Sequence, residues 1–166
     1  SKPADAGASA YFNWGSALSN LKRYEEAIER YKKATELDPK YVDAYNNWGN
    51  ALSDLKRYEE AIEKYLKVIE IDPSFWDFDY ARWNNALDNL NKDEKEKAIE
   101  KFQNIIASKP ADAGAYAYDD WGSALSNLKR YEKAIERYKK ATELDPEYVD
   151  AYNNWGLALD ALKRYE

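Results

Sequence analysis

The side chains best suited to chemistry in this chain are amides, hydroxyls and charged groups that recur three and four residues apart. They are Asn13, Ser16 and Asn20; Asn47, Asn50 and Asp54; Arg82, Asn85 and Asn89; Asp120, Ser123 and Asn127; and Asn154. Such spacing places side chains on one face of a helix. Because an amide donates and accepts hydrogen bonds at once, a row of Asn can hold an extended peptide backbone. The residues predict a peptide-binding groove; the competing interpretation is that they only keep that surface soluble.

Catalytic chemistry has little support in this sequence. The chain has no His, Cys or Met, so the commonest general base and the thiolate nucleophile are both absent. No Ser/His/Asp set and no phosphate-binding glycine loop is present. The segment Asp77-Phe78-Asp79 lacks the glycine and the closing glutamate of a calcium loop. We therefore predict a protein that is not an enzyme and has no catalytic residue, metal or cofactor.

Charge and composition limit the classes of partner that this chain is expected to bind. The 25 basic and 31 acidic residues give a net charge of -6, which argues against binding to nucleic acids or anionic membranes. The aromatic share of 15% is too high for a disordered chain. No signal peptide or membrane span is predicted. The sequence does not determine the cellular compartment. For a natural protein the absence of cysteine favours the cytoplasm.

The sequence repeats at two scales. These repeats predict the helices that position the polar residues. Residues 1–59 match residues 108–166 at an offset of 107, with eight differences. A shorter period near 34 residues, typical of stacked helical hairpins, is marked by Pro3, Pro39, Pro73, Pro110 and Pro146. Tyr45-x2-Trp48-Gly49-x2-Leu52 predicts the first helix of a hairpin, and Ala61-x3-Tyr65 predicts the second. The small Gly49 and Ala61 allow the two backbones to approach closely.

This pattern resembles the tetratricopeptide repeat family, whose repeats carry Trp-x2-Leu-Gly-x2-Tyr, then Ala-x3-Phe, then Pro. The resemblance implies an all-α fold: an α-solenoid of antiparallel helix hairpins in a right-handed superhelix, spanning residues 1–166 as one domain. We place four repeats at 8–41, 42–75, 77–112 and 115–148, a capping helix at 149–166, and the tail of a preceding repeat at 1–7. The resemblance also implies that the first helices line a concave face.

Local features give further expectations. Asp38-Pro39, Asp72-Pro73 and Asp145-Pro146 predict helix starts, with Asp as N-cap and Pro at the first helical position. Five tryptophans at one repeat position are predicted to lie in the core: Trp14, Trp48, Trp83, Trp121 and Trp155. The turns at Lys22-Arg23, Lys56-Arg57, Lys129-Arg130 and Lys163-Arg164 lack the glycine common in the family. Because a non-glycine residue at positive φ costs about 1 kcal/mol, we expect a different turn there.

Repeat 3 departs from the other copies. Asn84 replaces the packing glycine, and two residues are added in the turn NKDEKEK, so we expect a kink or wider spacing of the array. Trp76 lies outside the periodic pattern, near Phe75, Phe78 and Tyr80. We expect it to pack in the core of the displaced connection; a contact patch for a partner or for a second copy is the alternative.

The segment AYNNWGNAL resembles the repeats of O-linked N-acetylglucosamine transferases, in which an Asn ladder lines the groove. That resemblance assigns ladder positions to Asn13, Asn47 and Asn154, with Arg82 and Asp120 interrupting the ladder. No glycosyltransferase domain is present. The carboxylate-clamp type, which holds chaperone C-termini, needs Lys and Arg on this face, and we reject it because only Arg82 is basic.

The predicted function is a protein–protein interaction scaffold whose concave polar groove takes an extended or helical peptide, preferably neutral or basic. The alternative is an engineered or recently duplicated repeat scaffold with a structural or self-assembly role and no native ligand, since the block LKRYE occurs four times. A homodimer through residues 149–166 is a related prediction, because the last helix is less polar than its internal copy. Its contact residues are Trp155, Leu157, Leu159 and Leu162.

Overall fold

The computed structural model describes residues 7–73, 75, 80–108 and 113–162, and every regular element within them is an α-helix. The helices are α1 (Ala8–Asn20), α2 (Tyr24–Leu37), α3 (Val42–Asp54), α4 (Tyr58–Ile71), α5 (Tyr80–Asp88), α6 (Lys92–Ser108), α7 (Ala115–Asn127), α8 (Tyr131–Leu144) and α9 (Val149–Ala161). We call the odd-numbered helices A helices and the even-numbered ones B helices. Within these ranges, no helix has the length and apolar character that crossing a bilayer requires.

The predictions for the tail at 1–6, for Trp76 and Phe78, for Pro110 and for the turn at 163–164 lie outside the described residues.

The chain divides into two compact units, the first containing α1–α5 and the second α6–α9. In the first unit each helix packs on the next in sequence, and α3 also contacts α1 and α5. In the second unit α6 packs on α7, α7 on α8 and α8 on α9, while α7 also contacts α9. Neighbouring A helices therefore lie side by side within each unit. The kink expected at repeat 3 stays a prediction.

The α3–α4 hairpin shows how the helices of a pair pack. A methyl group added to Gly49 would lie 2.6 Å from the ring of Tyr65, and both Tyr65 and Ala61 are fully buried. The same arrangement pairs Gly15 with Tyr31, and Gly122 with Tyr138. The predicted packing of small residues against large rings is confirmed. We call the space at each such glycine the notch.

The turns inside the hairpins use lysine in the left-handed backbone region. The φ angles are 57°, 60° and 57° at Lys22, Lys56 and Lys129. In the first turn, the Arg23 N–H donates to the Leu18 carbonyl at 3.0 Å and the Lys22 N–H donates to the Ser19 carbonyl at 2.8 Å. These two bonds form a Schellman motif, which satisfies the last carbonyls of the helix. Contrary to expectation, these turns keep the backbone geometry that favours glycine, although lysine occupies the left-handed position.

The predicted helix starts at the Asp-Pro pairs are wrong. Helix α3 begins at Val42 and Asp38 is the C-cap of α2. The Tyr41 N–H donates to the Asp38 carbonyl at 3.1 Å, so Pro39 occupies the second position of a β-turn. Asp145 accepts the same bond from Tyr148 before α9. The fixed φ of proline suits a turn as well as a first helical position, which is why the sequence misled.

The long turn expected in repeat 3 is also wrong. Helix α6 begins at Lys92, so most of NKDEKEK is helical. The helix has 17 residues, against 14 in each of α2, α4 and α8. Asp93 and Glu94 lie in its first turn, where negative charge is favourable. The added residues therefore extend a helix and do not widen a loop.

The five tryptophans of the repeat are not equally buried. Trp83 is 1% exposed and Trp121 is 8% exposed, whereas Trp14 is 46% exposed; Trp48 and Trp155 are half-buried. The prediction of a common core position is therefore wrong, most clearly for Trp14. The guanidinium of Arg30 lies 3.9 Å from the Trp14 ring centroid, a cation–π contact that covers part of the ring. One repeat position therefore has different degrees of burial in different repeats.

Candidate functional site

In the first unit, the predicted polar residues lie along the adjacent helices α1, α3 and α5. The exposed members are Asn13, Asn20, Asp54, Asn85 and Asn89, and the half-buried members are Ser16, Asn47, Asn50 and Arg82. In the second unit Asn127 is exposed, and Asp120, Ser123 and Asn154 are half-buried along α7 and α9. We call these two sets the polar rows of the first and second units. A half-buried position leaves part of each polar side chain accessible to a ligand.

The buried B-helix tyrosines support the polar rows from below. The Tyr65 hydroxyl donates to Asn50 Oδ1 at 2.8 Å. The Tyr138 hydroxyl donates to Ser123 Oγ at 3.4 Å and lies 3.1 Å from Ser126 Oγ. Burial raises the pKa of Tyr138, so its hydroxyl keeps its proton and remains a donor. One ring therefore both fills a notch and orients a polar side chain of the row.

Arg82, the basic member of the first unit's polar row, is held by an acidic neighbour. Its Nη1 lies 2.5 Å from Asp54 Oδ1 and 3.4 Å from the Asn50 carbonyl oxygen. A peptide carboxylate would have to compete with Asp54 for this guanidinium. The arrangement agrees with the rejection of a carboxylate-clamp site.

In the second unit, α7, α8 and α9 line an open pocket of about 200 Å³. Its lining consists of Ser123, Ser126, Asn127, Tyr131, Tyr138, Asn154, Leu157 and Ala158. The pocket is smaller than the roughly 300–1,000 Å³ of typical small-molecule sites. It brings three members of the polar row together with Leu157, which the sequence assigned to self-association instead. Leu157 is 69% exposed, so the pocket has polar sides and an apolar edge.

A buried carboxylate, which sequence reasoning missed, lies beside the pocket. Asp119 is 4% exposed and accepts hydrogen bonds from Asn154 Nδ2 at 3.1 Å and from the Tyr148 hydroxyl at 3.3 Å. Its counterpart in the first unit is Phe12, whose ring centroid lies 5.0 Å from that of Tyr41. The Phe-to-Asp difference between the two copies was the available signal. The amide nitrogen of Asn154, a predicted ladder residue, is thus engaged within the protein.

Raising the pH should weaken the second unit through Asp119. Burial, aided by the nearby charge of Asp150, raises the pKa of Asp119 above its ordinary value of 3.8, so the folded state binds this proton more tightly than the unfolded chain. The stabilisation of the folded state by this proton is fully present below pH 3.8. It is lost as the pH rises through the folded-state pKa of Asp119, by at most about 1.4 kcal/mol per pH unit. Urea unfolding at a series of pH values measures it.

The matched variant for this experiment is Asp119→Asn, which keeps an acceptor for Asn154 and Tyr148. The wild-type protein contains other carboxylates, so the informative quantity is the difference in unfolding free energy between variant and wild type. We expect that difference to grow in favour of the variant as the pH rises above 3.8. A difference that stays constant with pH would contradict the role given to Asp119.

The described residues bear on the predictions for metal ligation and self-association. Among the residues that the structure describes, no group of three or more His, Cys, Asp or Glu could hold a metal ion. On α9 and its C-cap, Trp155, Leu159 and Leu162 are half-buried and Leu157 is exposed. The homodimer through this helix stays a prediction.

Family patterns match two stretches of the chain, and solved structures match most of it. The family pattern described as "TPR repeat" matches residues 15–55 and 122–163, and that described as "Tetratricopeptide repeat" matches residues 42–75. No match was found among the curated proteins.

Solved structures of other proteins are similar to this chain over most of their own length. YrrB, described as a TPR protein with an unusual peptide-binding site, has a TM-score of 0.56 at 25% identity, covering 96% of this chain and 79% of its own. A MamA protein has a TM-score of 0.58 at 28% identity, with 94% and 82% covered. MamA from Desulfovibrio magneticus RS-1 has a TM-score of 0.58 at 25% identity, with 94% and 85% covered.

Proposed function

The chain belongs to the tetratricopeptide repeat family, and from that premise we propose that it is an interaction module that binds a peptide segment along the polar rows of its A helices. The all-α tetratricopeptide fold predicted from the sequence is confirmed. Proteins of this family in general mediate protein–protein contacts.

The observation that carries the proposal is the pocket between α7, α8 and α9. Ser123 and Asn127 offer a hydroxyl and an amide at its polar side, and Leu157 offers an aliphatic side chain at the other. A peptide can place its backbone against the polar side, where an amide both donates and accepts, and one apolar side chain against Leu157. The pocket size of about 200 Å³ suits a single side chain better than a cofactor.

Charge indicates the class of peptide. The residues that line the pocket include no Lys or Arg, while Asp119 lies beside it and the chain carries a net charge of -6. An acidic peptide would therefore be repelled, with no basic side chain in the lining to offset the repulsion. A basic peptide would be attracted, and a neutral peptide would meet no repulsion. We propose a neutral or basic ligand.

The narrower proposal of an Asn ladder has its support in the first unit. Asn13 and Asn47 lie on the adjacent helices α1 and α3 and keep accessible surface. In the second unit Asn154 donates to Asp119, which leaves less of this amide for a peptide. The ladder is therefore proposed for Asn13 and Asn47 rather than for all three positions.

Selection from a displayed peptide library, followed by titration of the hits, tests the function. Asn127→Arg places a long cationic side chain at the edge of the pocket and should weaken the hits roughly five- to hundredfold, because overfilling a contact costs about 1–3 kcal/mol. Asn20→Arg makes the same change at the equivalent exposed position of the first unit's polar row, so comparing the two variants shows which unit's row a hit contacts. Hits that bind both variants like the wild type would remove the polar rows from the proposal.

A structural scaffold without a native ligand is the second candidate. It is supported by the near identity of the two long copies, residues 1–59 and 108–166, which is expected of an engineered or recently duplicated array. A folded protein that yields no hit from libraries of acidic, neutral and basic peptides would favour this role over peptide binding.

A further inference from the structure

The two long copies of the chain differ in the first half of one A helix. Three of their eight differences fall there. Helix α7 has a tyrosine and two aspartates where α1 has a serine, a phenylalanine and an asparagine: Ser9/Tyr116, Phe12/Asp119 and Asn13/Asp120. The rest of the two helices is identical, so the second unit carries a different chemistry at this end of the same scaffold.

Tyr116 lies at the start of the polar row on α7. It precedes Asp120 by four residues and Ser123 by seven, and these spacings place the three side chains on one face of the helix. The centroid of the Tyr116 ring lies 4.7 Å from that of Tyr148, the N-cap residue of α9. Tyr116 is nevertheless 54% exposed. Tyr148 thus supports the ring, while more than half of the tyrosine surface stays accessible to a ligand.

Three carboxylates act on this pair of rings. Asp119 accepts a hydrogen bond from the Tyr148 hydroxyl at 3.3 Å. The pKa of Tyr148 is raised, first by burial and then by the negative charges of Asp119, Asp120 and Asp150, which oppose the loss of its proton. The electrostatic potential beside the accessible Tyr116 ring is therefore negative.

A cationic side chain fits this arrangement better than an anionic or an apolar one. The face of an aromatic ring attracts a positive charge, and a nearby carboxylate adds to that attraction. An anionic side chain would be repelled by the same carboxylates, and an apolar side chain would gain nothing from them. The first unit has Ser9 and Asn13 at the equivalent positions, which supply neither a ring nor a charge. The favourable occupant is therefore a Lys or Arg side chain, and the second unit alone attracts it in this way.

The pocket between α7, α8 and α9 sets the spacing of the ligand side chains. Asn127, which lines the pocket, follows Asp120 by two turns of α7, which is about 10 Å along the helix axis. An extended peptide covers about 10 Å with three residues. A peptide that runs along α7 can therefore place one side chain on Tyr116 and another beside Leu157 in the pocket.

We propose that the partner of the second unit is an extended peptide segment with a Lys or Arg about three residues from an apolar residue. The cation lies on the Tyr116 ring beside Asp120, and the apolar side chain lies against Leu157. The inference rests on the proposed function, since the pocket supplies the second contact. It adds the class of side chain that binds outside the pocket.

Two capped octapeptides of Gly and Ser, each with one Lys and one Leu three positions apart in either order, test the proposal. Their binding to the isotope-labelled full chain is followed by amide chemical shifts, which also detect weak binding. We expect at least one of them to shift the amides of α7 and of the start of α9. Acetylation of the peptide lysine keeps the side chain but removes its charge, and should weaken binding roughly three- to tenfold.

Tyr116→Ser combined with Asp120→Asn is the matched variant, because it gives α7 the residues that α1 has at these positions. Its circular dichroism should therefore match that of the wild type. We expect it to bind the lysine peptide as weakly as the wild type binds the acetylated one. The acetylated peptide itself should bind the variant and the wild type equally.

Two results would overturn the inference and leave the proposed function standing. One is equal binding of the lysine and acetylated peptides at the pocket. The other is a preference for the charged peptide that survives in the double variant, which would place the cation elsewhere. If neither peptide shifts any amide, the inference falls, and the proposed function falls with it only when the peptide library also yields no hit.

Discussion

Gly49→Ala should destabilise the first unit by about 1–3 kcal/mol, the usual cost of overfilling a packed contact. The added methyl group would lie 2.6 Å from a ring carbon of Tyr65, and Tyr65 is fully buried, so the ring cannot move aside without disturbing its neighbours. The displaced ring would also strain the hydrogen bond from its hydroxyl to Asn50. Urea unfolding followed by circular dichroism, with hydrogen exchange of the α3 and α4 amides, measures the loss.

Gly156→Ala is the matched control for this experiment. It occupies the same position of the repeat but meets open space, so the alanine should be neutral or should stabilise the helix by about 0.5–1 kcal/mol. Of the two variants, only Gly49→Ala should therefore lose stability, although the sequence pattern is the same. Equal losses at the two glycines would show that helix geometry, and not the tyrosine ring, selects glycine there.

Trp83→Ala should be the most damaging substitution within the tryptophan series, costing about 3–5 kcal/mol. Trp83 is 1% exposed, and its ring lies edge-on to that of Tyr65 at a centroid separation of 6.2 Å. Removing it leaves a large cavity in the first unit. Thermal and urea unfolding measure the effect, which we expect to be largest in the exchange rates of α4 and α5.

Trp14→Ala is its control, because Trp14 occupies the same repeat position but is 46% exposed. Its loss removes the contacts with Arg30 and Tyr11, which are together worth about 1 kcal/mol. If the two variants proved equally unstable, the difference in burial would not be what decides the energetic role of this position.

The order and type of the helices could be predicted because the repeat pattern is local and strongly periodic. The residues of the Gly49 notch, Ala61 and Tyr65 among them, fall at helical spacings, and those spacings hold whatever else packs around the hairpin. The ends of the helices were less predictable. Asp38-Pro39 fits both a helix start and a β-turn, and the choice between them depends on backbone hydrogen bonds that the sequence does not specify.

The burial of individual side chains could be predicted only in part, because it depends on neighbouring repeats. Trp14 and Trp83 occupy one position of the pattern, yet different helices surround them. The candidate site shows the same limit. Helical spacing placed Ser123 and Asn127 on one face, but the pairing of Asn154 with Asp119 joins helices far apart in sequence. Asp119 lies at a position that the periodic pattern assigns to neither the polar row nor the notch.

The left-handed lysines of the hairpin turns indicate that this protein is less heat-resistant than its architecture permits. A side chain in that backbone region costs about 1 kcal/mol relative to glycine, and part of this is recoverable by substituting glycine at Lys22, Lys56 and Lys129. The three turns belong to separate hairpins, so the gains should add. Because these lysines lie in the hairpin turns and are not members of the polar rows, thermal tolerance can be adjusted there without changing any side chain of those rows.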